Sequence, residues 1–238
     1  MAKMTIDDLV TQLKLAFGAE LTAVVLYGSA ARGNHDPARA DMNVLVVAER
    51  ITMETLAREA AIAASWSEAG HPLPVTMTVS EWKGSADIFP IEYADLLDAH
   101  KVLHGALPLD GVRVERRDLR LQLEHETMGK LFRLRRAILA AGDDRKRRLA
   151  LLAESVGSFV VLFRALLRAH GDSPPRDAEG AITAAAARAG IAAEPFLRAL
   201  RHARGADRIP AAESAAVLEA YLAGATQLAQ HIDRMGAQ

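Results

Sequence analysis

The chain contains no cysteine. Disulfides, thiolate metal centres and a cysteine nucleophile are therefore excluded. It also lacks an excess of either charge: the formal net charge is −1, so no global field draws it to nucleic acid or acidic lipid. No uninterrupted apolar run is long enough to span a bilayer. The first residues, Met1-Ala2-Lys3-Met4-Thr5-Ile6, lack the apolar stretch of a signal peptide. These absences give a cytoplasmic protein as the expectation, with no membrane partner and nucleic acid not expected. There is no internal repeat.

What remains is ordinary globular material. The 238 residues, half of them apolar and a quarter charged, fit one large domain or two small ones. The composition changes near residue 113. Before it, short β-rich runs alternate with helical patterns. After it the chain is rich in Ala, Leu and Arg with helical spacing. The expected domains are 1–112 and 113–238.

In the first part, residues 7–17 read as a helix with Leu9, Val10, Leu13 and Phe17 on one side. Residues 21–27 and 44–48 read as buried strands. Residues 52–69 read as a helix, with Thr52 as N-cap and Gly70 just past its end. Residues 74–80 alternate Val75, Met77, Val79 against Thr76 and Thr78, which predicts a half-exposed strand with the threonines outward. A short helix over 91–100 and a last edge strand over 102–105 complete an α/β layer. In the second part, helices are expected over 117–141, from Asp143 or Asp144 to 170, over 178–189, from Pro195, and after Pro210. Together they predict a helical bundle.

One segment concentrates the chemistry. Val24-Val25-Leu26-Tyr27-Gly28-Ser29-Ala30-Ala31-Arg32-Gly33 is an apolar strand broken at Gly-Ser. Ala40-Asp41-Met42-Asn43-Val44-Leu45 enters the next strand through an acid. A glycine at a strand exit lets the backbone approach a phosphate, and Ser29 adds a hydroxyl donor. If Ala30-Ala31 begin a short helix, its amides also face the phosphates. Arg32 is a candidate clamp for a terminal phosphate or a solvated loop residue.

This pattern resembles the DNA polymerase β-like nucleotidyltransferase superfamily. An α/β half followed by a helical bundle is similar to the aminoglycoside nucleotidyltransferases, and to small nucleotidyltransferases joined to helical domains of the HEPN type. The resemblance implies a mixed sheet with helices followed by an all-α bundle. It implies that Gly28 and Ser29 hold the phosphates of a nucleoside triphosphate and that Asp41 holds Mg²⁺. It also implies acids at positions 41 and 43 and a third on the neighbouring strand, which carry a two-metal transfer.

The acid at position 43 is missing. Asn43 offers a carbonyl oxygen without a charge. A unit charge about 4 Å away, at an effective dielectric near 20, is worth about 4 kcal/mol, or roughly a thousandfold in rate. The third acid is not evident either. Thr76 and Thr78 are neutral, and Glu81 lies beyond the strand. Mg²⁺ often needs only one or two carboxylates when the substrate's phosphates complete its shell, so Asp41 could hold a single ion against a bound triphosphate.

Two functions are therefore expected. One is a transferase moving a nucleoside monophosphate from Mg-NTP to a small-molecule or protein hydroxyl, with Asp41 and Asn43 in the catalytic positions and activity weak or absent. The other is a non-catalytic nucleotide- or partner-binding regulator. A toxin- or antitoxin-like role is a third. The acidic segment Glu81, Asp87, Glu92, Asp95, Asp98 would suit a polycationic acceptor, or is the wet face of a helix. Arg164 and His170 superficially match the spacing of HEPN ribonucleases, though His170 also suits a helix end. Arg145 to Arg148, with Arg133, Arg135 and Arg136, form a local basic region. His100 and His104 lack partners for zinc. A homodimer is left open.

Overall fold

The computed structural model describes residues 3–33 and 42–235. Asp41, the expected metal ligand, lies outside the described residues. By internal contacts the chain divides into two compact units, residues 1–115 and 116–238.

The first unit is a mixed four-stranded sheet with helices on both faces. Helix α1 (Ile6–Phe17) opens with a capping box in which Thr5 and Asp8 bond each other's backbone amides. After a turn of 3-10 helix come β1 (Leu21–Tyr27) and β2 (Asn43–Ala48). Helix α2 (Met53–Glu68) starts at its Thr52 cap, and Gly70 follows its end at φ +101°. Strand β3 (Val75–Thr78), α3 (Val79–Gly84), α4 (Pro90–Asp98) and β4 (His100–Gly105) complete the unit. The strand order is β3-β2-β1-β4. β1 runs antiparallel to β2 and β4, and β2 runs parallel to β3.

Alternation along the strands sends side chains to two different cores. Val24, Val44, Val46 and Ala48 pack with Leu9, Leu13, Phe17, Ile62 and Trp66. Ala23, Val25, Leu45 and Val47 pack with Trp82, Tyr93 and Leu96 on the other face.

Two expectations need correction here. The third strand ends at Thr78, because Thr78 and Glu81 form a capping box that opens α3. The threonines of β3 do not face outward from a half-exposed sheet. Thr76 donates to the buried carboxylate of Glu59 on α2 at 2.5 Å.

The second unit is all helical: α5 (Arg116–Ala141), α6 (Arg145–Ala169), α7 (Ala178–Ala189), α8 (Glu194–Arg204) and α9 (Ser214–Met235). Asp144 caps α6 and Asp177 caps α7. The core centres on Phe159, Phe163, Phe196 and Tyr221, with Phe196 and Tyr221 ring centres 4.6 Å apart. By length and composition α6 alone among the described helices is apolar enough to cross a membrane. Here Leu152, Val156, Phe159, Phe163 and Leu166 on that helix are buried within the protein.

Candidate functional site

The turn leaving β1 begins where Tyr27 pairs with Asn43 across the strands. Gly28 takes φ +77°, a conformation glycine adopts without the clash a β-carbon brings. Gly28 is buried, Ser29 exposed and Ala30 buried. The Arg32 amide donates to the Gly28 carbonyl at 3.3 Å, and the Gly33 amide to the Ala30 carbonyl at 3.4 Å. The segment is thus a run of turns, and the short helix expected at Ala30-Ala31 does not form. A β-carbon added to Gly28 would lie 3.2 Å from the side-chain nitrogen of Asn43. The fold therefore brings Gly28 and Asn43 together, with Ser29 outermost.

Arg32 is neither solvated nor extended from the turn. Its guanidinium bonds the Asp95 carboxylate of α4 at 2.5 Å and lies 4.0 Å from Asp98, with the side chain only 7% exposed. Two carboxylates of the acidic segment are spent in holding it. Its Nε is buried without a hydrogen-bond partner among the described residues. Glu81 is spent as well: it accepts the Thr78 amide at 2.7 Å, and these hydrogen bonds hold its carboxyl below the usual range.

Asn43, Leu45 and Val47 share one face of β2 by strand alternation. Across the parallel ladder Leu45 is registered with Val75 and Val47 with Met77. The β3 residues on the Asn43 face are therefore Val75 and Met77, both apolar. A pocket of about 300 Å³ opens there, lined mainly by Tyr27, Leu45, Val75, Met77, Trp82 and Phe89. Its floor is firmly built. Trp82 stacks on Tyr93 with ring centres 4.4 Å apart. Trp82 Nε1 donates to the Pro108 carbonyl at 2.7 Å, and the Tyr93 hydroxyl to the Trp82 carbonyl at 2.7 Å. Glu92 also lines the pocket. Burial pushes the Tyr27 phenol up, and the charges of Glu92 and Asp95 push it further the same way.

Mg²⁺ takes hard oxygen donors in octahedral geometry. Among the described residues no three or more His, Asp or Glu side chains gather to hold a metal. The strand face around Asn43 offers aliphatic and thioether groups instead. Asn43, Leu45, Val75 and Met77 themselves supply no carboxylate to a metal.

The helical unit's candidates have structural employment. Arg164 is buried, and its guanidinium donates to the carbonyls of Pro175 and Arg176 at 2.7 and 2.6 Å. It fastens the loop after α6. His170 caps the end of α6 and lies 3.2 Å, Nε2 to Nε2, from His231. Burial, then nearby Arg188, holds the His170 imidazole below its ordinary range. In the basic region, Arg148 pairs with Asp143 at 2.6 Å and donates to the Gly142 carbonyl. His100 bonds the Leu96 carbonyl through Nδ1.

No protein-family model matches the chain, and no curated protein matches it in sequence. Among solved structures it is similar to a spectinomycin adenyltransferase from Enterococcus faecialis, solved with ATP and spectinomycin. The TM-score is 0.62 at 13% identity, over 96% of this chain and 98% of that one. The shared feature is the fold: a nucleotidyltransferase-like mixed sheet with helices, followed by a helical bundle.

Proposed function

We propose that this chain is a nucleotidyltransferase-type protein that binds a nucleoside triphosphate at the Gly28–Ser29 turn, with nucleotidyl transfer weak or lost. The observation that carries this reading is the Gly28 turn itself. It has positive φ, is packed against Asn43 and holds Ser29 outermost, on a fold similar to that of a protein solved with ATP. Weak transfer follows from the same face of the sheet. The acid expected at 43 is an amide, and the neighbouring strand presents Val75 and Met77. A triphosphate bound beside a single carboxylate, Asp41, holds one metal at most and gains no paired-metal route for displacement.

Isothermal titration calorimetry with ATP tests the binding. Saturable binding, reduced at least about tenfold by Gly28→Val, is expected. Absence of binding at millimolar ATP, or indifference to the substitution, overturns it. Pyrophosphate release from labelled ATP, with candidate hydroxyl acceptors, measures the transfer.

A regulator without catalysis is the second reading, and the apolar β3 face favours it. The pocket beside the turn also bears on any acceptor. Glu81, Asp95 and Asp98 are committed to a cap and to Arg32. The walls that remain are aromatic and aliphatic, with Glu92 at an exposed position. They suit a molecule more apolar than a polycationic aminoglycoside. Asp41 remains the proposed carboxylate for a single Mg²⁺ carried in with the nucleotide. Asp41→Ala, compared with the parent chain in ATP titrations with and without Mg²⁺, checks that role.

A further inference from the structure

Helix α5 is apolar on two opposite sides. Leu119, Leu123, Leu131 and Leu134 are buried in the helical unit. Leu121, Met128, Phe132 and Leu139 are exposed by 46%, 40%, 53% and 82%. The exposed four are spaced seven, four and seven residues apart. At about 100° per residue they fall along one line, each within about 20° of its mean direction. The line runs about 27 Å along the helix. Exposed leucines occurring singly need no explanation, but a straight apolar stripe opposite the core does.

We infer that this stripe is the interface of a two-fold dimer, in which α5 packs antiparallel on α5 of a second copy. The positions are self-complementary about a point near Lys130. Reversing the helix about that point places Leu121 opposite the second copy's Leu139, and Met128 opposite its Phe132, each twice by symmetry. The flanking charges also match. Glu124 precedes the midpoint on one edge of the stripe, and Arg135 follows it on the same edge. In an antiparallel pair like edges meet, so Glu124 faces the second copy's Arg135. In the single chain Glu124 bonds Arg120 of its own helix at 2.8 Å. A parallel arrangement would instead bring opposite edges together, and Glu124 would not meet Arg135. A shallow crossing of the two helices, near 20°, keeps the whole stripe in contact.

Sedimentation velocity on the full chain, up to about 100 µM, tests the state. A dimer is expected. Phe132→Asp should raise its dissociation constant about a hundredfold with unchanged helical circular dichroism. Leu139→Asp, at the most exposed position, serves if that variant misfolds. Glu124→Arg and Arg135→Glu should each weaken the dimer, and the double exchange should restore it. Orientation is read by cross-linking, which is clean because the chain has no cysteine. A mixture of Met128→Cys and Phe132→Cys chains should join across the two variants. A monomeric parent chain, including one that needs a different protein as partner, overturns the inference. So does self-cross-linking confined to Met128→Cys, or a double exchange that restores nothing.

Discussion

The two faces of the sheet are built from the same strands and have opposite characters. One face is closed. Leu9, Leu13, Val24, Val46 and Trp66 are all wholly buried, and α1 and α2 cover them. The other face is closed only over part of its length. Toward the end where Tyr27 and Asn43 pair, it opens into an aromatic pocket with Val75 and Phe89 each 46% exposed at its rim. The first face holds a fully buried core, and the second holds the pocket. The open face carries the Gly28 turn, with Asn43 where an acid was expected and Val75 and Met77 on the neighbouring strand.

The largest difference between the faces should appear in stability. Leu13→Ala is expected to cost about 3 kcal/mol in urea unfolding, and Val75→Ala under about 1 kcal/mol. Similar losses would dissolve the distinction. Arg32→Ala should cost about 3 kcal/mol, because it leaves Asp95 partly buried without its cation. An unchanged urea midpoint would free Arg32 for a role on phosphate. Gly28→Ala forces a β-carbon into a left-handed turn and toward Asn43. About 1 kcal/mol of stability and roughly tenfold in ATP affinity should be lost together. Asn43→Asp sharpens the comparison by restoring charge to the open face. Mg²⁺-dependent ATP affinity should rise at least about tenfold, and a flat response would show that charge at position 43 is not what the site lacks. The smallest effect belongs to Glu59. Burial raises its carboxyl above the usual range, and the Thr76 hydrogen bond lowers it less. The folded state thus favours the protonated acid. Its stabilising contribution is full below the unfolded carboxyl's range and fades as pH rises through the folded one. Glu59→Gln should flatten that part of the pH–stability curve and raise the urea midpoint slightly at neutral pH.

Much of this was legible in the sequence where local signals agreed. Thr52 and Gly70 bracket α2, because caps and left-handed glycines act within one turn. The Gly28 turn was readable for the same reason. The phase of β3 was not. Its alternation is genuine, but which side is covered depends on Glu59, a buried acid on α2 that no periodicity announces. Helix α3 was missed although its signal was present: Thr78-Val79-Ser80-Glu81 spells a capping box, hidden because Val79 continues the strand's alternation. The pairing of Arg32 with Asp95 joins residues far apart in sequence, which spacing does not reveal. Arg164, which spacing alone made a candidate for RNA chemistry, is tied to two carbonyls of the loop after its helix.

The chain has only two tryptophans, and the sheet divides them. Trp66 sits in the closed core, with its ring 4.2 Å from that of His71. Trp82 forms the pocket floor against Tyr93. Replacing either by phenylalanine leaves a single indole emitter that watches one side of the sheet alone. Trp82 then registers events in the pocket and Trp66 the melting of the core, so occupancy and unfolding are separable in one cuvette without any attached dye.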